Sequence, residues 1–347
     1  MEKKVLSIGI AAYNMELFLA RCLESLIIPD IDKLEIIVIN HASTDCTHDI
    51  AMEYKTKYPG SIKVVDVKVN GHYGRAVNNA LAAATGKYFK LLDADDTYCN
   101  ENLPAFVDFL NTVDDDIVFS PYVILNYESI FVKSFSCPSE FLNNSFLVDE
   151  INWNNPQLKM FRAMHSMAIK TALLQDNNYY QTEGIAYSDT QLVFFSDLYS
   201  KSCSFFCRPV YNYYLGRDGQ TMSEVSIKKN CLHFYENAIR MLDVFSLFNN
   251  KDLLSNNRLK LLADSVYIEV YYFFGAVIGG AKNNAQYKKY INDLLLRCSD
   301  VEWKGILVKK INSNRYFKFY KNYHCPNIVI YYLRHIKAFV NGLWHKN

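Results

Sequence analysis

Three carboxylates crowd into four positions of the stretch KYFKLLDADDTY, residues 87–98. The apolar run Tyr88-Phe89-Lys90-Leu91-Leu92 stops at Asp93, and Asp95 and Asp96 follow at once. Like charges at that spacing repel unless a positive group lies between them. Hard divalent cations take carboxylate oxygens, and Mg²⁺ or Mn²⁺ commonly uses one or two of them with substrate phosphates completing the shell. A strand ending in three aspartates therefore fits a clamp for a cation and a diphosphate. Capping of a following turn by Asp95 or Asp96 is the competing explanation, but a cap needs one aspartate and not three.

Other polar groups sit at comparable places. Tyr13, in AAYN, has a ring that can stack on a flat base or simply close a strand. In NHASTD (40–45), Ser43 or Thr44 is expected as a helix N-cap, with Asp45 near the positive end of the helix dipole. Asn40 and His41 are then left over as polar groups at a strand end. Asp189, in EGIAYSDTQLVF, precedes an apolar helical run, as a cap does; a general base is the other use of a carboxylate there. Arg217 stands among glycines in YYLGRDGQTMS, and its guanidinium suits the forked grip of a diphosphate. His165, in FRAMHSM, is a lone histidine, as readily structural as a ligand contact.

The elements that must bring these residues together are legible over the first 125 positions. Strands are predicted at 5–13, 34–40, 62–67, 87–93 and 116–125, and helices at 15–27, 44–58, 74–85 and 101–113. Gly86 reads as the residue that ends the third helix. Continuous apolar strands between amphipathic helices argue for an α/β fold with a mostly parallel sheet covered on both faces. Such sheets bind ligands beyond the carboxyl ends of their strands. Tyr13, Asn40 and Asp93 all fall at such ends. Residues 126–220 are less regular, and from 224 the pattern turns helical. The stretch 265–281 is apolar but interrupted by Glu269 and short for a membrane span, so it reads as a buried helix.

The chain has 347 residues, half of them hydrophobic, with 26 Tyr and 22 Phe, enough for a substantial core. That aromatic content suits carbohydrate- or membrane-facing surfaces, and equally a merely Tyr-rich composition. Nine scattered cysteines, with no C-x-x-C pair, indicate reduced thiols in cytoplasm and neither a disulfide framework nor a zinc knuckle. The start, MEKKVLSIGIAAYN, lacks the pattern of a signal peptide. The net charge of +1 conceals a split. Residues 303–347 hold nine Lys/Arg and no Asp or Glu, which leaves 28 basic and 36 acidic groups in residues 1–302. After Pro326, Val329, Tyr332, Leu333, Ile336, Phe339, Val340 and Leu343 fall near one helical face. That basic, aromatic tail resembles an interfacial helix on anionic lipid, or an ordinary docking helix with solvated lysines. The acidic body argues against a long nucleic-acid track.

Taken in order, strand–AYN, strand–NHASTD, NGHYGRAVNNAL, ATGKYFKLLDADD, the later YSD and GRDGQT resemble the family 2 glycosyltransferases of bacterial polysaccharide synthesis. The likeness covers residues 5–125 strongly and 160–225 moderately. It implies the GT-A nucleotide-sugar-binding fold over residues 1–223, with a nucleotide-binding half (1–125) and an acceptor-side half (126–223). A helical region (224–302) and the basic tail (303–347) would follow. It further implies that Ala12 and Tyr13 flank a uracil-type base, that Asn40 reads it, and that Arg75 and Asn78 lie near nucleotide and metal. Asp93 would face ribose or sugar and share a Mn²⁺ or Mg²⁺ ion with Asp95, with Asp96 supporting the pair. Arg217 would grip the diphosphate, His165 would meet the acceptor, and Asp189 would deprotonate the acceptor hydroxyl. The chain departs from the family pattern at His41-Ala42, where Asp-Gly is usual, at Val77, where an Arg is usual, and at Ser188, where Glu precedes the Asp.

The expected function is inverting transfer of a hexose or N-acetylhexosamine from a nucleotide sugar, with UDP as the expected nucleotide. The acceptor would be a saccharide or lipid-linked saccharide, and the setting the cytoplasm or the inner face of the cell membrane. Two alternatives stand beside it. A nucleotidyltransferase on a related sheet would prefer a glycine-rich phosphate loop after the first strand, which AAYNMELF lacks. A saccharide-binding scaffold without turnover has the altered NHA segment in its favour.

Overall fold

The computed structural model describes residues 3–142, 144–216, 220–221, 223–249, 254–280, 287–299, 304–314 and 316–318. Twelve strands are described: β1 (Leu6–Ala12), β2 (Leu34–Asn40), β3 (Ile62–Asp66), β4 (Tyr88–Asp93), β5 (Thr97–Tyr98), β6 (Ile117–Phe119), β7 (Tyr122–Asn126), β8 (Phe131–Phe135), β9 (Ser145–Leu147), β10 (Met167–Lys170), β11 (Ser202–Phe205) and β12 (Tyr211–Leu215). Helices α1 (Leu19–Glu24), α2 (Thr47–Lys57), α3 (His72–Ala83), α4 (Leu103–Thr112), α5 (Pro156–Phe161), α6 (Thr171–Asp176) and α7 (Asp189–Tyr199) alternate with them. The chain divides into two compact units, Met1–Asp218 and Gly219–Asn347.

The first unit is built on an eight-stranded sheet in the order β3-β2-β1-β4-β10-β6-β11-β9. Strands β3, β2, β1 and β4 run parallel. Every residue of β2 is buried, as a strand covered on both faces requires. A second sheet, β5-β12-β7-β8, stands beside the carboxyl end of β4. The first four strands and four helices lie where the periodicity places them, with shorter helices. The predicted fifth strand is in fact two. It breaks at Ser120-Pro121, where the proline has no N–H for a ladder, and β6 and β7 enter different sheets.

Two smaller expectations are corrected by specific contacts. Ser43 and Thr44 do not cap α2, because both are drawn to Asn14. Ser43 Oγ accepts from the Asn14 amide at 3.2 Å, and Asn14 Oδ1 accepts from the Thr44 amide at 2.9 Å. Asp45 does the capping work instead, its Oδ1 accepting from the Thr47 amide at 3.0 Å. Gly86 does not end α3 in a left-handed turn. It is small because a Cβ there would stand 2.7 Å from both the amide nitrogen and the hydroxyl of Ser7.

That close approach belongs to a polar knot that fastens β1, β2 and β3 to the turn before β4. Glu35, in β2, is buried, and four donors meet its carboxylate: Ser7 Oγ, Lys63 Nζ at 2.6 Å, and the Thr85 amide and hydroxyl at 2.7 Å each. Ser7 Oγ in turn accepts from the Gly86 amide at 2.8 Å. Burial alone would raise the Glu35 pKa; the Lys63, Ser7 and Thr85 hydrogen bonds outweigh it and hold the group below the usual carboxylate range.

The second unit is helical: α8 (Glu224–Lys229), α9 (Cys231–Asn249), α10 (Asn256–Gly280), α11 (Lys288–Ser299) and α12 (Lys304–Ser313). Helix α9 packs along α10, with the Phe234 and Tyr272 rings stacked at 5.3 Å. Glu269, inside the apolar stretch, is buried, and among the described residues no helix is long and apolar enough to cross a membrane. The first turns of the basic tail form α12, which buries Leu307 and Ile311 and pairs Lys310 with Asp264. The segment after residue 318, with the amphipathic pattern, lies outside the described residues.

Replacing Glu35 by Ala leaves the buried Ser7 hydroxyl without its acceptor and removes the Lys63 and Thr85 hydrogen bonds, an expected loss of about 3 kcal/mol. Because the folded-state pKa is depressed, this stability is present above the unfolded-state value and is lost as pH falls through the folded one. Urea midpoints of wild type and Glu35→Ala should therefore differ widely at pH 7 and converge on acidification. A gap independent of pH would contradict the knot.

Candidate active site

The acidic turn is divided by its burial pattern. Asp93 and Asp95 are partly exposed, whereas Ala94 and Asp96 are buried. The turn closes with the Asp96 amide on the Asp93 carbonyl at 2.9 Å. The carboxylate of Asp96 faces the protein: Oδ2 accepts from the Tyr211 hydroxyl at 2.6 Å and Oδ1 from the Tyr214 amide at 2.8 Å. The same Tyr211 oxygen accepts from the Asp93 amide at 3.2 Å. On the other side Arg21 donates to the Asp95 carbonyl at 2.8 Å, with its guanidinium 4.1 Å from the centre of the Tyr214 ring. Two carboxylates are thus presented and the third is an anchor.

Around the presented pair the protein gathers groups from distant segments. Asp189, the first residue of α7, lies close enough that its charge, after burial and Asp95, helps raise Asp93 to about 8. Tyr73, in the first turn of α3, reaches the Asp93 carboxylate with its hydroxyl and also lies 3.2 Å from Met164 Sδ. Asp189 itself is pushed up by burial, against the pull of the amides of Asp189 and Thr190. Tyr213 feels all four carboxylates, Asp93, Asp96, Asp189 and Asp95. His165 stacks on Tyr213 at 4.4 Å and lies 4.8 Å from Tyr211. The expected pairing of the acidic turn with Asp189 and His165 is therefore a spatial one.

The residues at the ends of β1 and β2 and in α3 are more committed to protein partners. Tyr13 is 45% exposed at the end of β1 and free to offer its face, while Ala12 is buried and its carbonyl accepts from the His41 amide. Asn40 is buried; its amide donates to Asp66 at 2.8 Å and its oxygen accepts from the Ser43 amide at 3.3 Å. His41 is buried with its Nε2 unpartnered, and burial followed by the Arg75 charge lowers its pKa. Arg75 pairs with Glu183 at 2.7 Å and donates to the Val69 carbonyl. Asn78 spans to the same loop, exchanging hydrogen bonds with Gln181 and donating to Glu183 at 3.2 Å. Gly74 admits the loop, since a Cβ there would meet the Thr182 carbonyl oxygen at 2.0 Å. Arg217 lies outside the described residues.

Backbone strain collects at the same edge. Asn14, Ala42, His72 and Tyr187 have φ of 52°, 56°, 55° and 62°, a left-handed region that side chains with a Cβ disfavour. They follow β1 and β2, open α3 and precede Asp189.

Asp93 and Asp95 fit one side of a divalent cation. Among the described residues no group of three or more His, Cys, Asp or Glu could hold a metal ion unaided. A cation here would need phosphate oxygens of a ligand to fill its shell, as Mg²⁺-type sites commonly do. The carboxyl of Asp93, held up by burial and like charge, is the signature of a place arranged for a positive group.

Tyr73, Tyr211, Tyr213, Arg21 and Glu183 were not singled out from the sequence. Arg21 lay in a plain helix pattern and Tyr211 in the less regular stretch 126–220, and nothing in either marks a residue that hydrogen-bonds to another segment. Glu183 stood inside a quoted motif, and only its distance from α3 in sequence hid its pairing with Arg75.

With the parallel sheet, the acidic turn at its carboxyl edge and a carboxylate on the opposite segment in view, the class of protein is defined by comparison. Residues 7–174 match the family model of glycosyl transferase family 2. A poly(ribitol-phosphate) beta-glucosyltransferase of Bacillus spizizenii is 29% identical over 264 residues, 74% of this chain and 39% of its own length. The poly(ribitol-phosphate) beta-N-acetylglucosaminyltransferase TarS of Staphylococcus aureus (strain Mu50) is 27% identical over 74% of this chain and 43% of its own. The chain spans about two fifths of the length of these curated relatives. The crystal structure of S. aureus TarS 1-349 in complex with UDP-GlcNAc matches with a TM-score of 0.67 at 20% identity, covering 94% of this chain and 89% of that one. The common architecture is the GT-A fold.

Tyr211→Phe removes the hydroxyl that joins Asp96 to the Asp93 amide. A hydrogen bond to a buried carboxylate is worth about 2 kcal/mol, so urea unfolding should show a loss of that order, while Tyr13→Phe changes nothing. Equal midpoints for Tyr211→Phe and wild type would mean that the turn is held by other groups.

Proposed function

We propose that the chain is an inverting glycosyltransferase moving a hexose or N-acetylhexosamine from a UDP sugar to a hydroxyl of a saccharide, polyol-phosphate or lipid-linked acceptor in cell-surface polysaccharide synthesis. The observation that carries this reading is the pair Asp93 and Asp95, presented at the carboxyl edge of the sheet and facing a third carboxylate, Asp189, from the opposite segment. The named activities of the poly(ribitol-phosphate) transferases and the UDP-GlcNAc complex of TarS support the substrate classes.

In this reading Tyr13 stacks on the base, with Asn40 and Ala12 lining its edge, and Arg75 and Asn78 hold the loop that closes over the nucleotide. Asp93 and Asp95 hold Mn²⁺ or Mg²⁺, which when bound supplies positive charge against the leaving diphosphate. Asp96 keeps their turn in place, and Arg217 contributes a second positive group to the diphosphate. Asp189 takes the proton of the acceptor hydroxyl, and the acceptor oxygen bonds to the anomeric carbon as the bond to UDP breaks on the opposite face. A carboxylate made more basic by burial is suited to that role. His165 contacts the acceptor. The cytoplasm is the proposed compartment, with the basic tail at 303–347 resting on the inner membrane face.

A panel of nucleotide sugars with Mn²⁺ tests the reaction. Nucleoside diphosphate release is expected, whereas pyrophosphate release would mean nucleotidyl transfer and no turnover a binding scaffold. Asp95→Ala should abolish Mn²⁺-dependent UDP binding in calorimetry. Asp189→Asn should retain that binding and lower turnover by roughly 10²–10⁴-fold, the range of general-base catalysis. Undiminished turnover in Asp189→Asn would remove it from the mechanism. For the tail, full-length protein should float with vesicles containing anionic lipid, and the triple charge reversal at Arg334, Lys337 and Lys346 to Glu should leave it in solution; equal flotation of both would exclude a role for those charges.

A further inference from the structure

Lys90 has no exposed surface, yet it lies in β4 three residues before Asp93 and has no part in the transfer just described. A lysine buried without a carboxylate partner is costly, and burial pushes its pKa well down. Its Nζ donates to two carbonyls, that of His165 at 2.6 Å and that of Met167 at 3.2 Å. The remaining side of the amino group faces aromatic rings, 6.0 Å from the centre of Tyr98 and 5.9 Å from that of Tyr211. Both carbonyls belong to the short segment that enters β10, so Lys90 fastens this segment to the strand carrying the acidic turn.

What the segment carries is specific. The Met164 sulfur meets the Tyr73 hydroxyl, which also reaches Asp93. The His165 ring is held on three sides, by Tyr213 at 4.4 Å, Tyr211 at 4.8 Å and Tyr122 at 5.5 Å. Its Nδ1 is buried and has no partner, which leaves Nε2 as the edge through which the ring can meet a ligand. Burial, and after it the nearby Lys90, lowers the His165 pKa to about 3, so the ring is neutral throughout the ordinary pH range.

We propose that Lys90 is a positioning residue: by holding the backbone at His165 and Met167, it seats the His165 imidazole against Tyr211 and Tyr213, with Nε2 as the hydrogen-bonding contact for an acceptor hydroxyl. The acceptor part of this statement rests on the glycosyltransferase reading; the seating of the ring does not. Lys90 touches no substrate and acts through His165.

The test is NMR of the full chain with ¹⁵N,¹³C-histidine, the His165 signal being assigned by its loss in His165→Gln. The wild type should show His165 as a single neutral tautomer, protonated at Nε2, without titration from pH 5 to 8, its ring protons shifted by the neighbouring tyrosines. Lys90→Met should move those protons toward free-histidine positions. A second arm measures transfer from UDP-GlcNAc or UDP-glucose to a poly(ribitol-phosphate) acceptor. Lys90→Met and His165→Gln should each lower kcat by about tenfold, and the double variant should fall no further than the worse single one. Ring signals unchanged in a folded Lys90→Met, or multiplicative losses in the double variant, would overturn the proposal. Should Lys90→Met not fold, the wild-type spectrum decides, because a His165 that titrates between pH 5 and 8 is not seated as described. A wild type that transfers no sugar would sink the glycosyltransferase reading and leave the spectroscopic arm standing.

Discussion

The architecture of the site depends on keeping three aspartates within four residues at the end of one strand. Two of them, Asp93 and Asp95, are partly exposed, and burial with the charges of Asp95 and Asp189 holds the Asp93 carboxyl well above the usual carboxylate range. The third solves the mechanical side of the problem. Asp96 turns inward, and Tyr211 and the Tyr214 amide take both its oxygens, so β12 is bound to the turn that follows β4. The cost of burying that carboxylate is real, since burial and the charges of Asp93 and Asp95 push its pKa well up. Arg21, on the far side, donates to the Asp95 carbonyl.

This arrangement shows what kind of information the sequence held. The strands β1 to β4 were legible because each is an unbroken apolar run flanked by amphipathic helices, a local pattern that burial on both faces imposes. Tyr13, Asn40 and Asp93 could be placed at one edge for the same reason, since strand direction alone brings their ends together. The break at Ser120-Pro121 was hidden inside a run that is apolar on both sides of the proline. Gly86 was misread as a helix stop because a glycine required by a neighbouring strand looks, in sequence, like a glycine required by a turn. The work of Tyr211, Tyr73 and Glu183 was illegible for another reason: each acts on a partner that only the folded chain brings near.

The strand-end residues also show how a binding edge is made rigid before any ligand arrives. Asn40, Arg75 and Asn78 spend their polar groups on Asp66, Ser43, Gln181 and Glu183. The last two partners belong to the loop that leads to Asp189. A displacement of that loop would therefore be felt at α3, through Arg75 and Asn78. The left-handed backbone at Asn14, Ala42, His72 and Tyr187 has the same distribution. Such conformations cost of order 1–3 kcal/mol each and persist only where surrounding contacts enforce them, as the hydrogen bonds to Ser43 and Thr44 do at Asn14.

The abundance of tyrosine acquires a physical meaning at this site, one that neither a carbohydrate platform nor compositional drift supplies. Tyr73, Tyr211 and Tyr213 enclose the carboxylates with rings that exclude water. Tyr73 and Tyr211 also bring hydroxyls that reach Asp93 and Asp96. Phenylalanine in their place would exclude water equally well and leave buried acids without donors. Lysine or arginine would set a positive charge against the acids. A phenol does neither, since it donates a hydrogen bond while remaining uncharged, the more so where burial and the adjacent acids push its own pKa well up, as they do for Tyr73 and Tyr211. The tyrosines thus supply the acidic edge with donors that add no positive charge to it.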